Sequence, residues 1–173
     1  MARLFVSIRP PVRVLDAIQA RLRAAPGVDF VARDRWHLTL CFLGDVDDAA
    51  PVADALRELA ARPPVRVRLG GAGSFGSRRR RQVVWLGLSE GVDALADLAA
   101  ATRAAVGLDE LPFDPHLTLK RLVAGVDAAP VVDALGQEPV GAAWIARELL
   151  LEESSFPDQP VRHSVISRVA LRG

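Results

Sequence analysis

The 173-residue sequence predicts an α+β fold built of two similar lobes, and three observations predict it. Short β-type runs alternate with stretches of helical periodicity along the chain. The tetrapeptide His-Leu-Thr-Leu occurs twice, beginning at His37 and at His116, 79 residues apart and close to half the chain length. Each copy sits in a predicted strand flanked by two predicted helices. No linker or low-complexity tract divides the chain, so residues 1–173 read as one bilobal domain.

Leu4 to Ile8 is a short strand closed by Pro10-Pro11, and Val14, Leu15, Ile18 and Leu22 then recur at helical spacing until Pro26-Gly27. Trp36 to Leu43 returns to strand character and ends at Gly44-Asp45. Val52, Leu56 and Leu59 mark a second helix, stopped by Pro63-Pro64. Val65, Val67 and Leu69 alternate with arginines as a half-buried strand. After a Gly-rich loop, Val83 to Leu88 reads as a buried strand, and the two pair as a hairpin with a long tip. Val92, Leu95, Leu98 and Val106 form a helix that Gly107 caps. Phe113 to Arg121 is a strand entered through Asp114-Pro115, and a short helix around Val131, Val132 and Leu135 ends at Gly136. Two β-like stretches, Trp144 to Glu152 and Val161 to Leu171, finish the chain. The likeness of the two halves is strong only at the tetrapeptides.

Half of the residues are hydrophobic and a quarter charged, the composition of an ordinary globular chain. The net charge of +1 gives no whole-molecule attraction to a polyanion, so nucleic acid would have to be held by a local basic patch. Cys41 is the single cysteine, which excludes an internal disulfide and a cysteine-based metal site and fits a reducing, cytoplasmic setting. No signal-peptide pattern and no apolar run of the ~20 residues needed to cross a bilayer is present, so no membrane role is expected. Two distant histidines without a third ligand do not make a metal centre, and no cofactor is implied.

In a strand, residues i and i+2 share a face, so His37 points with Thr39 and His116 with Thr118, while the intervening leucines anchor the core. Two facing strands then present two imidazoles and two hydroxyls. That set suits phosphodiester cleavage. One ring takes a proton from attacking water, the other gives one to the departing oxygen, and the hydroxyls donate to non-bridging phosphate oxygens. By the same alternation Cys41 shares the His37 face, as an inert small side chain.

The stretch Trp36-His37-Leu38-Thr39-Leu40-Cys41-Phe42-Leu43-Gly44, with Phe113-Asp114-Pro115-His116-Leu117-Thr118-Leu119-Lys120-Arg121, closely resembles the two-histidine (2H) phosphoesterase superfamily. The branch it is most similar to is the bacterial RNA 2′,3′-cyclic phosphodiesterases, historically called 2′-5′ RNA ligases. Arg3 to Ile8, Gly71 to Gly76, Val83 to Gly87 and Ser154-Ser155-Phe156 share the likeness in the same order. The resemblance implies two mainly antiparallel sheets with helices outside and a central cleft holding both motifs. It implies metal-independent hydrolysis of a terminal 2′,3′-cyclic phosphate to a 2′-phosphate, on RNA ends or nucleoside 2′,3′-cyclic phosphates, by a monomer. His116 is then the general base, His37 the general acid, Thr39 and Thr118 phosphate donors, and Arg121 a substrate-holding residue. Strict alternation puts Lys120 on the His116 face instead. A bulge at the strand end would restore Arg121; otherwise Lys120 is the better phosphate partner. The alternatives are a reversible 2′-5′ RNA ligase using the same site, and a non-catalytic nucleotide- or RNA-binding module.

Weaker signals remain. Arg78-Arg79-Arg80-Arg81 is either a grip on RNA phosphates or a solvated loop. The glycines at 70, 71, 73 and 76 lack the Gly-Lys-Ser/Thr of a P-loop and read as hairpin flexibility. His163 reads as a surface or rim residue, and Trp36 and Phe42 as packing residues.

Overall fold

The computed structural model describes residues 2–23, 25, 29–109, 111–157 and 160–173. In chain order the elements are β1 (Ala2–Ile8), α1 (Val12–Leu22), β2 (Leu38–Val46), α2 (Ala50–Leu56), β3 (Val65–Gly76), β4 (Gln82–Glu90), α3 (Val92–Ala105), β5 (Leu117–Leu122), α4 (Ala129–Leu135), β6 (Pro139–Ala146), β7 (Glu148–Ser154) and β8 (His163–Ala170). The α+β class is as the sequence predicts. The expected stop at Pro26-Gly27 lies outside the described residues.

The expectation of two sheets needs correction. The strands form one eight-stranded sheet in the order β6-β3-β4-β5-β2-β1-β7-β8, antiparallel at every junction. Its halves meet at the single β2–β5 pair, Leu38 opposite Leu117. Leu38 and Leu117 are themselves 79 residues apart, so the sheet is joined at equivalent positions of the two motifs.

The likeness of the halves extends beyond the tetrapeptides. Residues 48–56 and 127–135, also 79 apart, differ only at Ala53 against Val132. Each segment builds a helix start of one design. The Asp48 carboxylate accepts from the Ala50 N–H at 2.9 Å and the Asp127 carboxylate from the Ala129 N–H at 3.0 Å, with a proline in each first turn. Eight of the nine residues are identical, and each segment carries a second aspartate, Asp54 or Asp133, inside its helix.

Val14, Ile18 and Leu22 of α1 and Leu95, Leu98 and Ala99 of α3 bury themselves in one core with Leu4, Val6 and Ile8 of β1, Leu38, Leu40, Val84, Leu86, Leu117 and Leu119. Phe5 and Ser7, which alternate with that set, face the other side of the sheet.

Three local expectations change. The glycines after Leu69 continue β3 to Gly76, so the hairpin tip is short, residues 77–81. A register shift between Leu69 and Ala72 absorbs Gly70 and Gly71 as a bulge, with Gly71 at φ +74°. The stretch Trp144 to Glu152 is two strands, β6 and β7, broken at Arg147 and lying in different halves of the sheet, β6 beside β3 and β7 beside β1. Trp36 and His37 precede β2, because Arg33–Arg35 form a 3-10 turn.

Candidate active site

The register of Leu38 with Leu117, extended one residue each way, sets His37 beside Thr118 and Thr39 beside His116. Directly opposed residues share a sheet face, so all four side chains project from the face that the helices leave free. A regular ladder would hold the two histidine backbones about 7–8 Å apart, and pairing at only one point lets them diverge.

Both rings are oriented in the same way. His37 Nδ1 donates to the Arg35 carbonyl at 2.8 Å, and His116 Nδ1 donates to the Asp114 carbonyl at 2.7 Å. This fixes the Nδ1–H tautomer in the neutral ring and frees Nε2 for proton transfer. His37 Nε2 lies 3.0 Å from Thr39 Oγ1. Aromatic rings hold the imidazoles from the side: Phe5 and His37 centroids are 4.9 Å apart, and Phe75 meets His116 edge-on at 4.8 Å.

Strict alternation fails at one equivalent place in each motif strand. Ser7 pairs with Thr39, Val6 with Cys41 and Phe5 with Phe42, so Leu40 is the extra residue of a bulge. Likewise Trp85 pairs with Thr118, Val84 with Lys120 and Val83 with Arg121, which makes Leu119 the extra residue. Two readings change. Cys41 does not share the His37 face; it turns to the helix side, buried, with the Arg103 guanidinium 3.9 Å from its sulfur. Burial pushes its thiol up despite Arg103, which keeps it unreactive. Phe42 is no packing residue: it stands 67% exposed, 6.1 Å from Phe5 on the site face. Trp36 does pack in the core. The second bulge puts Arg121 on the His116 face and Lys120 on the other. Burial, then the nearby positive Arg35, lowers the Arg121 pKa, so two guanidinium groups converge here.

Three features were not found from sequence. Glu152 is fully buried, accepting from Ser7 Oγ at 2.5 Å and paired with Arg9. Arg9 also donates to the Asp34 carbonyl at 2.6 Å, tying the network to the turn that carries His37. Arg35, in that turn, has a buried Nε without a partner. His163 is not a remote rim residue. Its ring meets His37 edge-on at 5.2 Å and Phe5 at 4.9 Å. The β7–β8 pairing, His163 opposite Ser154, puts it there, and no local pattern reveals that pairing.

Burial holds His37 down at about 4; Glu152 opposes this, and His163 and Arg9 add to it. His163 is also lowered, first by burial and then by Arg35. Burial alone would raise Glu152, but its bonds to Arg9 and Ser7 hold it below the usual carboxylate range. Near neutral pH the site therefore carries a neutral His37, an ionised Glu152 and a group of arginines.

Arg78 to Arg81 form the exposed β3–β4 tip, where the Arg78 carbonyl accepts from the Gly125 N–H at 2.8 Å.

Residues 10–154 match the model of the 2′-5′ RNA ligase superfamily. The chain is 36% identical over 151 residues to the RNA 2′,3′-cyclic phosphodiesterase of Escherichia coli K12, covering 82% of this chain and 78% of that one. It is 31% identical over 153 residues to a Geobacillus stearothermophilus protein of the same name, and spans about half (48%) of that longer relative. The crystal structure of E. coli LigT complexed with 3′-AMP superposes with a TM-score of 0.74 at 31% identity, covering 99% of this chain and 98% of that one.

Proposed function

The chain belongs to the 2′-5′ RNA ligase superfamily, and we propose that it hydrolyses terminal 2′,3′-cyclic phosphates of RNA or nucleosides to 2′-phosphates. The observation that carries this reading is the pair of Nδ1-anchored imidazoles set on one sheet face by the Leu38–Leu117 register. Support also comes from the same activity in the names of the relatives and from the 3′-AMP complex of LigT.

Hydrolysis needs one proton taken and one given. Water attacks phosphorus as His116 Nε2 removes its proton. The bond from phosphorus to the ribose 3′ oxygen breaks, and His37 Nε2 protonates that oxygen. Thr39 and Thr118 donate to the non-bridging oxygens, and Arg121 and Arg35 add positive charge beside them. The acid role asks His37 to be protonated, although burial holds it down at about 4. The substrate supplies the difference: a phosphate anion between the rings favours the imidazolium. The reactants are the cyclic phosphodiester and water, and no step is routed through a metal or a cofactor. Acting as a monomer in the cytoplasm fits the lone buried thiol, and no described helix is long and apolar enough to cross a membrane.

The test is incubation of an RNA ending in a 2′,3′-cyclic phosphate with the protein and EDTA, with analysis of the product. A 2′-phosphate formed at an undiminished rate is expected. A 3′-phosphate product, loss of activity in chelator, or tight binding without turnover would refute the reading, the last in favour of a recognition module. The ligase reading uses the same groups in reverse, and joined RNA ends among the products would identify it.

A further inference from the structure

Strand register fixes which residues of the two halves correspond. Ser7 lies opposite Thr39 as Trp85 lies opposite Thr118, and Phe5 lies opposite Phe42 as Val83 lies opposite Arg121. Phe42 and Arg121 are 79 positions apart, like the histidines. One strand further out, Glu152 on β7 pairs with Phe5 and Phe75 on β3 pairs with Val83, so Glu152 and Phe75 hold the same place in their halves. Phe75 sets its ring edge-on to His116 at 4.8 Å. The His37 half puts a carboxylate there instead, the one charged side chain buried in full among the described residues.

Both oxygens of that carboxylate are occupied. Oε1 accepts from Ser7 Oγ and from Arg9 Nε at 3.2 Å, and Oε2 accepts from a terminal nitrogen of Arg9. Against the cost of burial these bonds hold Glu152 ionised, so it takes no proton from the nearby imidazole and acts on it by charge. It acts by position as well. Arg9 spans from Glu152 to the Asp34 carbonyl, one peptide before the Arg35 carbonyl that accepts from His37 Nδ1. Arg9, Arg35 and Arg121 are the cations around this ring, and His163 stands edge-on to it; Asp34, the other carboxylate nearby, is exposed. Burial drives His37 toward the neutral ring, and in these cationic surroundings Glu152 is the buried group that opposes it.

We infer that Glu152 is a positioning residue that makes His37, and not His116, the proton donor of the pair. The inference rests on the cyclic-phosphate reading and adds what distinguishes two imidazoles anchored in the same way. A general acid must hold its proton until the departing oxygen takes it, and a fixed negative charge beside the ring secures that. A general base needs no such charge, and the Phe75 ring beside His116 carries none. Once a phosphate anion is bound, the buried carboxylate and the anion both favour a protonated His37.

The experiment compares the wild type, Glu152→Gln and the double variant Arg9→Met/Glu152→Met on adenosine 2′,3′-cyclic phosphate. It records kcat and KM as functions of pH, and the titration of the His37 Cε1 proton by NMR with the product 2′-AMP bound, the resonance being identified by its loss in His37→Gln. Glu152→Gln should lower kcat at neutral pH about tenfold, and His37 in the 2′-AMP complex should titrate about one pH unit lower than in the wild type. KM should not rise, because a negative charge has been taken away from an anion site. The double variant should shift His37 in the same direction by less, since the opposing charge of Arg9 leaves with the carboxylate. Replacing both partners by apolar side chains strands no buried charge, so this variant carries the test should the single one not fold. A kcat lowered equally at every pH, with His37 titrating as in the wild type, overturns the inference in favour of a purely structural role. A raised KM with kcat intact overturns it too. Absence of turnover by the wild type overturns the cyclic-phosphate reading and the donor assignment with it.

Discussion

Leu38 stands directly opposite Leu117, the residue 79 positions further along, and this is the only pair between β2 and β5 among the described residues. Pairing of equivalent residues gives the junction an approximate two-fold relation, so whatever His37 presents to the cleft His116 presents from the other side. In the proposed mechanism, changing either to alanine removes one of two proton transfers. We expect kcat on an RNA 2′,3′-cyclic phosphate to fall about 10²–10⁴-fold for His37→Ala and for His116→Ala. Thr39→Val and Thr118→Val each remove a neutral donor and should cost about tenfold. Substantial turnover in either histidine variant would contradict the paired scheme.

Much of this was legible in the sequence because the chemistry is local to each strand. The motif, its period of two and the anchoring leucines named His37, Thr39, His116 and Thr118 without coordinates. The faces of Cys41, Phe42, Lys120 and Arg121 were not legible, because one bulged residue inverts everything after it and Leu40 and Leu119 look like any core leucine. Glu152 and His163 escaped for another reason. They reach the site through strand pairings more than 140 residues long from Ser7 and 120 from His37, and no periodicity encodes those.

Arg9 and Glu152 differ in exposure, 29% against 0% for their side chains, and that asymmetry sets the cost of breaking the pair. Arg9→Met strands a buried carboxylate with only Ser7 as donor, which should lower unfolding free energy by about 3–5 kcal/mol. Glu152→Gln leaves a cation that can turn toward water and should cost about 1–2 kcal/mol. Urea unfolding at pH 7 measures both. A larger loss for Glu152→Gln than for Arg9→Met would mean the burial is wrongly read.

Stability should fall on mild acidification, and His37 gives the sign. Its folded pKa of about 4 lies below the unfolded 6.5, so between those values the unfolded chain binds a proton that the folded chain refuses. The stabilisation of the fold by the neutral ring is complete above 6.5 and is lost as pH falls toward 4, by up to about 3 kcal/mol. His163, also lowered, acts in the same direction. Glu152 enters only below the ordinary carboxylate range, so comparison of pH 7.5 with pH 5 isolates the histidines. His37→Gln should lose less stability over that interval than the wild type; an equal loss would show that His37 is not held neutral by its surroundings.

The Leu119 bulge decides which cation the site face carries. With Arg121 opposite Val83 and Lys120 opposite Val84, the buried member of that pair, the guanidinium belongs to the site face and the ammonium does not. Arg121 and Arg35 are close enough for one to lower the pKa of the other, and among the described residues neither is paired with a carboxylate. Two adjacent guanidinium groups without a counter-ion repel each other until an anion sits between them. A charge-assisted bond to phosphate contributes about 1.5–3 kcal/mol, so Arg121→Ala and Arg35→Ala should each raise KM for a cyclic phosphate about 10–100-fold. Because removing one guanidinium relieves the repulsion on the other, the double variant should lose less than the product of the single effects. Lys120→Ala should leave KM within about twofold, since its side chain lies across the sheet from the phosphate. A KM that responds to Lys120 and not to Arg121 would mean that β5 runs without its bulge and that simple alternation describes the motif strand after all.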